Sequence, residues 1–575
     1  MGDFMKTLLV AINSKFIHTN LGSRDLYTYA KAQGKDIELL EEAIQTPLLT
    51  VLAKITSAKA QLIGINVHIW NRDYVFALAD LIRQVNPDVP IFLGGPEVGF
   101  TPETGFAKCS AVDYIIMGEG EEPLVSLISG LERGETIHNE HIAVRRDKTS
   151  WQGKPAVFCD LSKLLFPYED LEEVVREHKI LYYECTRGCP FNCSYCLSGI
   201  TKNVRRRPLD MVKKDMLRFV KAKAPLVKFV DRTYNLGEDY FLPLWRFLAS
   251  LDTDTVFHFE IKADLISEET LAFLDTVPKH RFQFEIGVQT TNPKVLKAIG
   301  RQDNWSRLSH NIAHLAQKSN IPVHLDLIAG LPYEDLASFI NSFNMVYALK
   351  PTVIQLGFLK VLPGAAITEQ KEEFGMVYQQ GPPYEILLTK YMGYEDLRFL
   401  KIVEDIFDHT YNSGKYARTL AYITEEVYKK DYFSFYGDVA KWWQKNHLED
   451  KGHSEREAGL LLLKFVEESK PEIAEQFKEI LRFDIFTLQP NWRPECFNWH
   501  TEEMREKTLS FWRNAELVHK YFPAYEFTTW RRARKFMPME VFKYAPDEPW
   551  GGTHYIMADY NNLGKYYEIK ELCRQ

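Results

Sequence analysis

The chain has 575 residues, of which 45% are hydrophobic, 26% charged and 13% aromatic, and its formal net charge is −8. At roughly 150 residues per domain this length predicts three or four domains, and so much aromatic surface excludes disorder over most of it. The negative balance excludes a global field for nucleic acid or anionic lipid, and neither a secretory signal nor an apolar run of about 18 residues is present, so the chain reads as cytoplasmic, with no membrane partner.

From 7 to 132, short β-rich runs alternate with patterns of helical period: TLLVAI (7–12), DIELLEE (36–42), LIGINV (62–67), IFLGG (91–95) and DYIIMG (113–118). Five buried strands with helical crossovers predict an α/β domain, 1–140, built on a doubly wound parallel sheet whose ligands bind beyond the carboxyl ends of the strands. That edge carries Asn13 to Thr19, Val67 to Asn71, Gly94-Gly95-Pro96-Glu97 and Gly118-Glu119-Gly120-Glu121. Four loops on one edge favour a cofactor crevice over glycines that only make tight turns. His68 ends the third strand there, with Trp70 able to cover the face of a flat cofactor.

Residues 141–175 lose the rhythm and read as a linker. A second alternation, 176–370, supplies KILYYE (179–184), LVKFVD (226–231), TVFHFEI (255–261), RFQFEIG (281–287), PVHLDLI (322–328) and TVIQLGF (352–358), with helices over 208–223 and 335–348. Six units predict a partial, open (β/α)6 TIM-like barrel. Successive strand residues face opposite sides, so Phe257, Phe259 and Ile261 oppose His258, Glu260 and Lys262, while Phe284 and Ile286 oppose Gln283, Glu285 and Gly287. Gln289 continues the second polar face, and Asp326 opposes Leu325 and Leu327. A closed barrel fills its centre with branched apolar side chains, so a polar inner face predicts a lumen that holds a polar ligand.

From 371 to 575 the β/α rhythm gives way to helical, aromatic-rich sequence in which seven of the eleven Trp lie between 442 and 550, predicting a mainly helical domain with its own core. Two basic runs, Arg205-Arg206-Arg207 and Trp530-Arg531-Arg532-Ala533-Arg534-Lys535, read as solvated helix faces, with RNA contact as the alternative.

Four of the eight cysteines fall between 185 and 196. Cys189, Cys193 and Cys196, spaced C-x3-C-x2-C on a loop after a strand, can hold three corners of an iron-sulfur cluster and leave one iron open. Four-thiolate zinc with Cys185 as the fourth ligand is the alternative.

This motif, with Tyr195 before its last cysteine and a six-strand barrel behind it, resembles the radical S-adenosylmethionine superfamily. The segments Glu285-Ile286-Gly287-Val288-Gln289-Thr290 and Gly330-Leu331-Pro332-Tyr333-Glu334-Asp335 resemble its Elp3-like core. The glycine loops at 94–97 and 118–121 are similar to the cobalamin-binding domain that precedes this core in the cobalamin-dependent class. The tail resembles an uncharacterised helical extension of one bacterial subgroup.

The resemblance implies a 4Fe-4S cluster on Cys189, Cys193 and Cys196, S-adenosylmethionine on its open iron, and cobalamin. It places Tyr195 beside the adenine and makes Glu285, Gln289, Asp231 and Glu260 contacts for S-adenosylmethionine, although the usual Gly-Gly-Glu after the second strand is missing. It gives Gly94, Gly95, Glu97, Gly118, Glu119, Gly120 and Trp70 to cobalamin. The stretch around His18 lacks the Asp-x-His-x-x-Gly pattern of a histidine beneath cobalt, so His18 is expected to cap a turn or touch the corrin. The implied reaction is methylation of an unactivated carbon, with ring rearrangement or closure as the alternative within the class and a non-catalytic cobalamin or redox sensor as the alternative outside it. Its partners are a flavodoxin- or ferredoxin-type reductant and a substrate that is a small molecule rather than nucleic acid. No catalytic residue is assigned.

Overall fold

The computed structural model describes residues 5–146, 151–152, 159–525, 530–546, 548 and 550–572. It divides into two units, one running to Ser342 and including Leu349–Pro351 and Leu356–Tyr394, the other formed by Phe343–Ala348, Thr352–Gln355 and the chain from Glu395 onward.

The first unit opens with β1 (Thr7–Asn13), β2 (Ile37–Ala43), β3 (Leu62–Asn66), β4 (Ile91–Gly94) and β5 (Tyr114–Ile116), followed by β6 (Ile142–Arg145) and β7 (Trp151–Gln152). They form one sheet in the order β2-β1-β3-β4-β5-β6-β7, parallel from β2 to β5. β1 is buried at every position, as a central strand covered on both faces must be. The expected linker at 141–175 is corrected at its start: β6 and β7 pair antiparallel onto β5 and extend the first sheet past residue 140.

The barrel strands are β8 (Leu181–Tyr183), β9 (Thr186–Arg187), β10 (Arg205–Arg206), β11 (Leu226–Phe229), β12 (Val256–Ile261), β13 (Phe282–Gln289), β14 (Val323–Ala329) and β15 (Val353–Phe358). Six of them lie in the order β15-β14-β13-β12-β11-β8, which is chain order and the mark of an open barrel, while β9 and β10 form a separate antiparallel pair. The expected alternation is present. On β13 and β14 every second residue is buried, and the residues between are partly open, up to a double-buried end at Val288-Gln289.

The outer face is an aromatic belt. Phe229 stacks on Phe259 with centroids 4.7 Å apart, and the helix Glu238–Ser250 lays Trp245, fully buried, 5.1 Å from Phe284. This burial of rings against helices drives the polar alternate residues to the concave side.

The segment 371–394 groups with the first unit. β16 (Val377–Tyr378) and β17 (Ile386–Leu388) pair with each other, and Ile386 donates to Leu359 O at 2.9 Å, so the chain folds back on the end of β15.

The second unit is mainly helical, as expected, and its aromatic residues form the core: Tyr347 stacks on Tyr432 at 4.3 Å and Phe343 meets Phe433 at 5.4 Å. The helix Glu455–Ser469 starts in a capping box between Ser454 and Glu457. An unforeseen antiparallel sheet of β18 (Met539–Phe542), β19 (His554–Ala558) and β20 (Tyr566–Glu568) packs Phe542 on Phe483 at 5.1 Å. The second basic run forms the helix Trp530–Phe536, in which the side chains of Arg532 and Arg534 lie outside the described residues.

Truncating the belt tests the face assignment. Trp245→Ala should cost about 3–5 kcal/mol of unfolding free energy, whereas Gln283→Ala on the concave side should change it by less than about 1 kcal/mol. Denaturant melts of the two variants decide this, and a larger loss from Gln283→Ala would reverse inside and outside.

Candidate functional site

The loop after β8 is held by its backbone. Cys189 N donates to Thr201 O at 2.8 Å, Ser194 N to Ile299 O at 2.9 Å, and Cys196 N to Cys193 O at 3.1 Å. Gly188 turns with φ +106°, where a Cβ would stand 2.4 Å from Asn203 O, so only glycine lets the strand bend into the loop so close to that carbonyl. Gly300 plays the same part opposite, with Asn192 O at 2.5 Å from its missing Cβ.

The loop brings Cys189, Cys193 and Cys196 to the wall of a cavity of about 190 Å³, shared with Tyr195, Glu260, Glu285, Gln289 and Asp326. Burial pushes the Cys193 thiol up. Cys185 does not line this cavity; it is fully buried and burial holds its thiol well above the ordinary range, so it stays protonated. Three thiols on one cavity wall, with Cys185 apart from them, are the donor set that the corners of a cluster call for.

The carboxylates above the barrel are unequal. The hydrogen bond from His258, 3.1 Å away, holds Glu285 below its usual range, while burial raises Glu260 and raises Asp326 much further, with Glu285 and Glu260 adding to the effect. Arg301 and Lys262, which sequence reading left unassigned or took only as an inward lysine, complete the walls: Arg301 donates to the Tyr195 hydroxyl at 3.3 Å, and Lys262 pairs with Asp264 and Asp303, each at 2.6 Å. Gln289 sits at φ +70° beyond a register shift, and its amide covers Gly287, where a Cβ would lie 2.2 Å away. A non-glycine residue in this region is strained, and here the strain turns the amide into the cavity wall.

The two motifs of the Elp3-like resemblance meet in space. Thr290 donates to Glu334 at 2.6 Å, and Ser342 lies 3.0 Å from the Thr291 hydroxyl, so the turn after Gln289 is pinned from β14's side. Glu334 is fully buried and burial pushes its carboxyl up to about 8.

At the carboxyl edge of the first sheet, a second cavity of about 270 Å³ has apolar walls from Leu9, Leu26, Phe92 and Ile116 and a rim of Gly94, Gly95, Gly118, Glu119 and Gly120. Gly95 and Gly118 turn with φ +105° and +74°. The four rim glycines lack a Cβ and let a flat cofactor approach the backbone closely, which fits cobalamin. Glu119 is also a hub. It accepts from Arg205 at 2.9 Å, Arg187 at 3.2 Å and Cys159 N at 2.8 Å, and although burial opposes ionisation, the guanidiniums hold its carboxyl below the usual range. Arg187 reaches Glu121 and Glu184 as well, at 2.9 and 2.8 Å, so one arginine two residues before Cys189 also lines this cavity.

Three expected cofactor contacts lie elsewhere. Asp231 is fully buried, accepts from the Thr186 hydroxyl at 2.7 Å and from Cys185 N at 3.1 Å, and is raised to about 7 by burial: it ties β11 to the start of the cluster loop and reaches neither cavity. Glu97 accepts from Tyr384 at 2.7 Å, itself bound by Arg72. Trp70 donates to Ile12 O at 3.1 Å and stacks on His68 at 4.3 Å; His68 lines the cavity and burial lowers it to about 4, a neutral imidazole. His18 shares a 2.7 Å hydrogen bond with the Tyr182 hydroxyl. The first basic run is no solvated helix: Arg205 joins Glu119, and Arg207 is buried opposite Asp25 at 3.6 Å.

Family models match three successive regions of the chain. One described as B12 binding domain matches residues 7–128, one described as Radical SAM superfamily matches 183–346, and a protein family of unknown function (DUF4080) matches 372–553. The chain is 20% identical over 344 residues to an uncharacterized methyltransferase, PH0819, of Pyrococcus horikoshii, covering 58% of this chain and 74% of that one. It is 23% identical over 345 residues to the cobalamin-dependent radical SAM methyltransferase TokK of Streptomyces tokunonensis, covering 55% of this chain and about half, 49%, of that one. Among solved structures, OxsB, a cobalamin-dependent S-adenosylmethionine radical enzyme with aqua-cobalamin and S-adenosylmethionine bound, superposes with TM-score 0.61 at 16% identity over 92% of this chain and 84% of its own. The methyltransferase TsrM of Kitasatospora setae, with cobalamin and a [4Fe-4S] cluster bound, superposes with TM-score 0.55 at 16% identity over 66% and 78%.

The buried Glu334 predicts a pH dependence. Its folded carboxyl, near 8, lies above its ordinary 4.5, so between these values the folded state keeps a proton that the unfolded state has lost, and stability falls as pH rises through that window. Glu334→Gln keeps the shape without the proton. Its melting temperature relative to the parent should climb from pH 5 to pH 9, and a constant difference between the two melts would show that Glu334 titrates normally.

Proposed function

We propose that this chain, which is a cobalamin-binding radical S-adenosylmethionine enzyme, methylates an unactivated carbon of a small-molecule substrate inside the barrel. The observation that carries this is the placement of three cysteines and a polar wall of Glu260, Glu285, Gln289 and Asp326 around one cavity, in the same unit as the glycine-rimmed cavity. Relatives named as methyltransferases support it. When bound, the cluster with S-adenosylmethionine supplies a radical strong enough to take hydrogen from such a carbon, and cobalamin supplies the methyl group.

The chain's own residues bind and shield. Cys189, Cys193 and Cys196 are the cluster ligands, and the Cys185 thiol, neutral and buried, stays apart. Glu285, ionised beside His258, faces the positive amino group or sulfonium of S-adenosylmethionine, while Arg301 and Lys262 face its carboxylate. Tyr195 and Gln289 wall the cavity against water. Gly94, Gly95, Gly118 and Gly120 admit cobalamin, and Glu119 fixes that rim to the cluster loop through Arg187. The electron comes from a flavodoxin- or ferredoxin-type partner in the cytoplasm. Among the described residues no helix is long and apolar enough to cross a membrane. A sensor needs a cluster but no polar chamber, and the chamber favours the enzyme.

After anaerobic reconstitution, Cys189→Ala, Cys193→Ala and Cys196→Ala should each lose most cluster iron and all reductive cleavage of S-adenosylmethionine to methionine and 5′-deoxyadenosine, with Cys185→Ala keeping its iron. Iron and sulfide counts with product chromatography check this. Loss of the cluster in Cys185→Ala with retention in Cys196→Ala would refute the ligand set.

A further inference from the structure

The concave face of the barrel is layered. Tyr182, Lys228, His258 and Gln283 occupy one register across β8, β11, β12 and β13, and Glu260, Glu285 and His324 occupy the next across β12, β13 and β14. Two residues of strand separate the layers by about 6–7 Å. Glu260 and Glu285 line the cysteine cavity; Lys228 and His258 lie below it.

This lower layer has unused capacity. Lys228 is half-buried and, among the described residues, makes no hydrogen bond or ion pair. His258 is 3% exposed; one ring nitrogen, Nε2, meets Glu285, and the other, Nδ1, is buried with no partner. A buried imidazole nitrogen without a partner is costly, and the fold keeps a half-buried lysine beside it on the adjacent strand. The neighbouring groups do not satisfy them: Glu285 is committed to His258, Gln283 donates to His324 at 2.7 Å, and Tyr182 is shared with His18.

Resting on the enzyme reading above, we propose that Lys228 and His258 form the substrate's anchoring subsite and take an oxyanion, a carboxylate or a phosphate. Lysine offers donors only, and His258, with Nε2 on Glu285, has Nδ1 left to turn to the same anion. The carboxylates of the layer above repel that group from the cysteine cavity, so the substrate lies with its charged end low and its carbon skeleton towards the cluster loop. The loop after β1 joins the same floor, since Ile180 N donates to Ile17 O at 2.7 Å and His18 holds Tyr182.

The test uses the reconstituted holoenzyme with inorganic phosphate and with acetate as probes, each against chloride at equal ionic strength. Melting temperature should rise saturably with at least one of the two, and which one identifies the substrate's anionic group. Lys228→Gln and His258→Gln, each checked for full iron content, should weaken that response at least tenfold. A rise that never saturates in the parent, or a saturable rise that both variants retain unchanged, overturns the subsite. Reductive cleavage of S-adenosylmethionine by the parent is measured alongside: its absence overturns the enzyme reading and the substrate role with it, whereas cleavage without a saturable anion response overturns the subsite alone.

Discussion

A parallel strand must send alternate side chains to opposite faces, and in this barrel one face is taken by stacked rings. Phe229, Phe257, Phe259, Phe282 and Phe284 under Trp245 can only be outside, against helices, because apolar rings gain most where water is fully removed. Everything chemical follows from that choice. Lys228, His258, Glu260, Glu285 and Asp326 are forced into the lumen, where each needs a partner from another strand or from a ligand. The polar interior is thus the obligatory reverse of an aromatic exterior, and the open edge of a six-strand barrel gives it access.

The second constraint joins the two cofactor domains. Arg187 stands between the glycine rim of the first sheet's cavity and Cys189 and touches Glu119, Glu121 and Glu184 together. Exposed pairs of this kind are worth under about 1 kcal/mol, but a guanidinium shared by three shielded carboxylates costs several kcal/mol to leave unpaired. The buried Asp25–Arg207 contact repeats the arrangement a few residues on. Movement of one domain against the other would expose these charges, so the network opposes it.

Much of this was legible in the sequence, for reasons that also mark where legibility ends. All eleven strands of the two parallel arrays were readable because short apolar runs, many with period two such as RFQFEIG and PVHLDLI, have no helical alternative, and the polar phase of those runs placed Glu260, Glu285 and Asp326 in the lumen. The cysteine spacing is local and needed no fold to be seen. Partners distant in sequence were not visible: nothing in Gly118-Glu119-Gly120 names Arg187 or Arg205, and Asp231, a carboxylate at a strand end, looked like a ligand contact although it serves Thr186 and Cys185. The edge strands β6 and β7 and the late sheet β18–β20 were missed because their runs are short and border polar loops. Lys228 offered a signal that went unused, a lone lysine centred in LVKFV, where a strand buried on one face has no reason to carry a charge unless the other face is a chamber.

Cys185 lies one loop turn from Cys189, yet it is fully buried, its carbonyl is held by Tyr240 and Arg207 N, and burial keeps it a neutral thiol. A thiol that cannot ionise neither attacks a disulfide nor captures iron. Thiol oxidation in this part of the fold is therefore confined to the three cysteines on the cavity wall, and it leaves the strand end at Cys185 beneath them untouched.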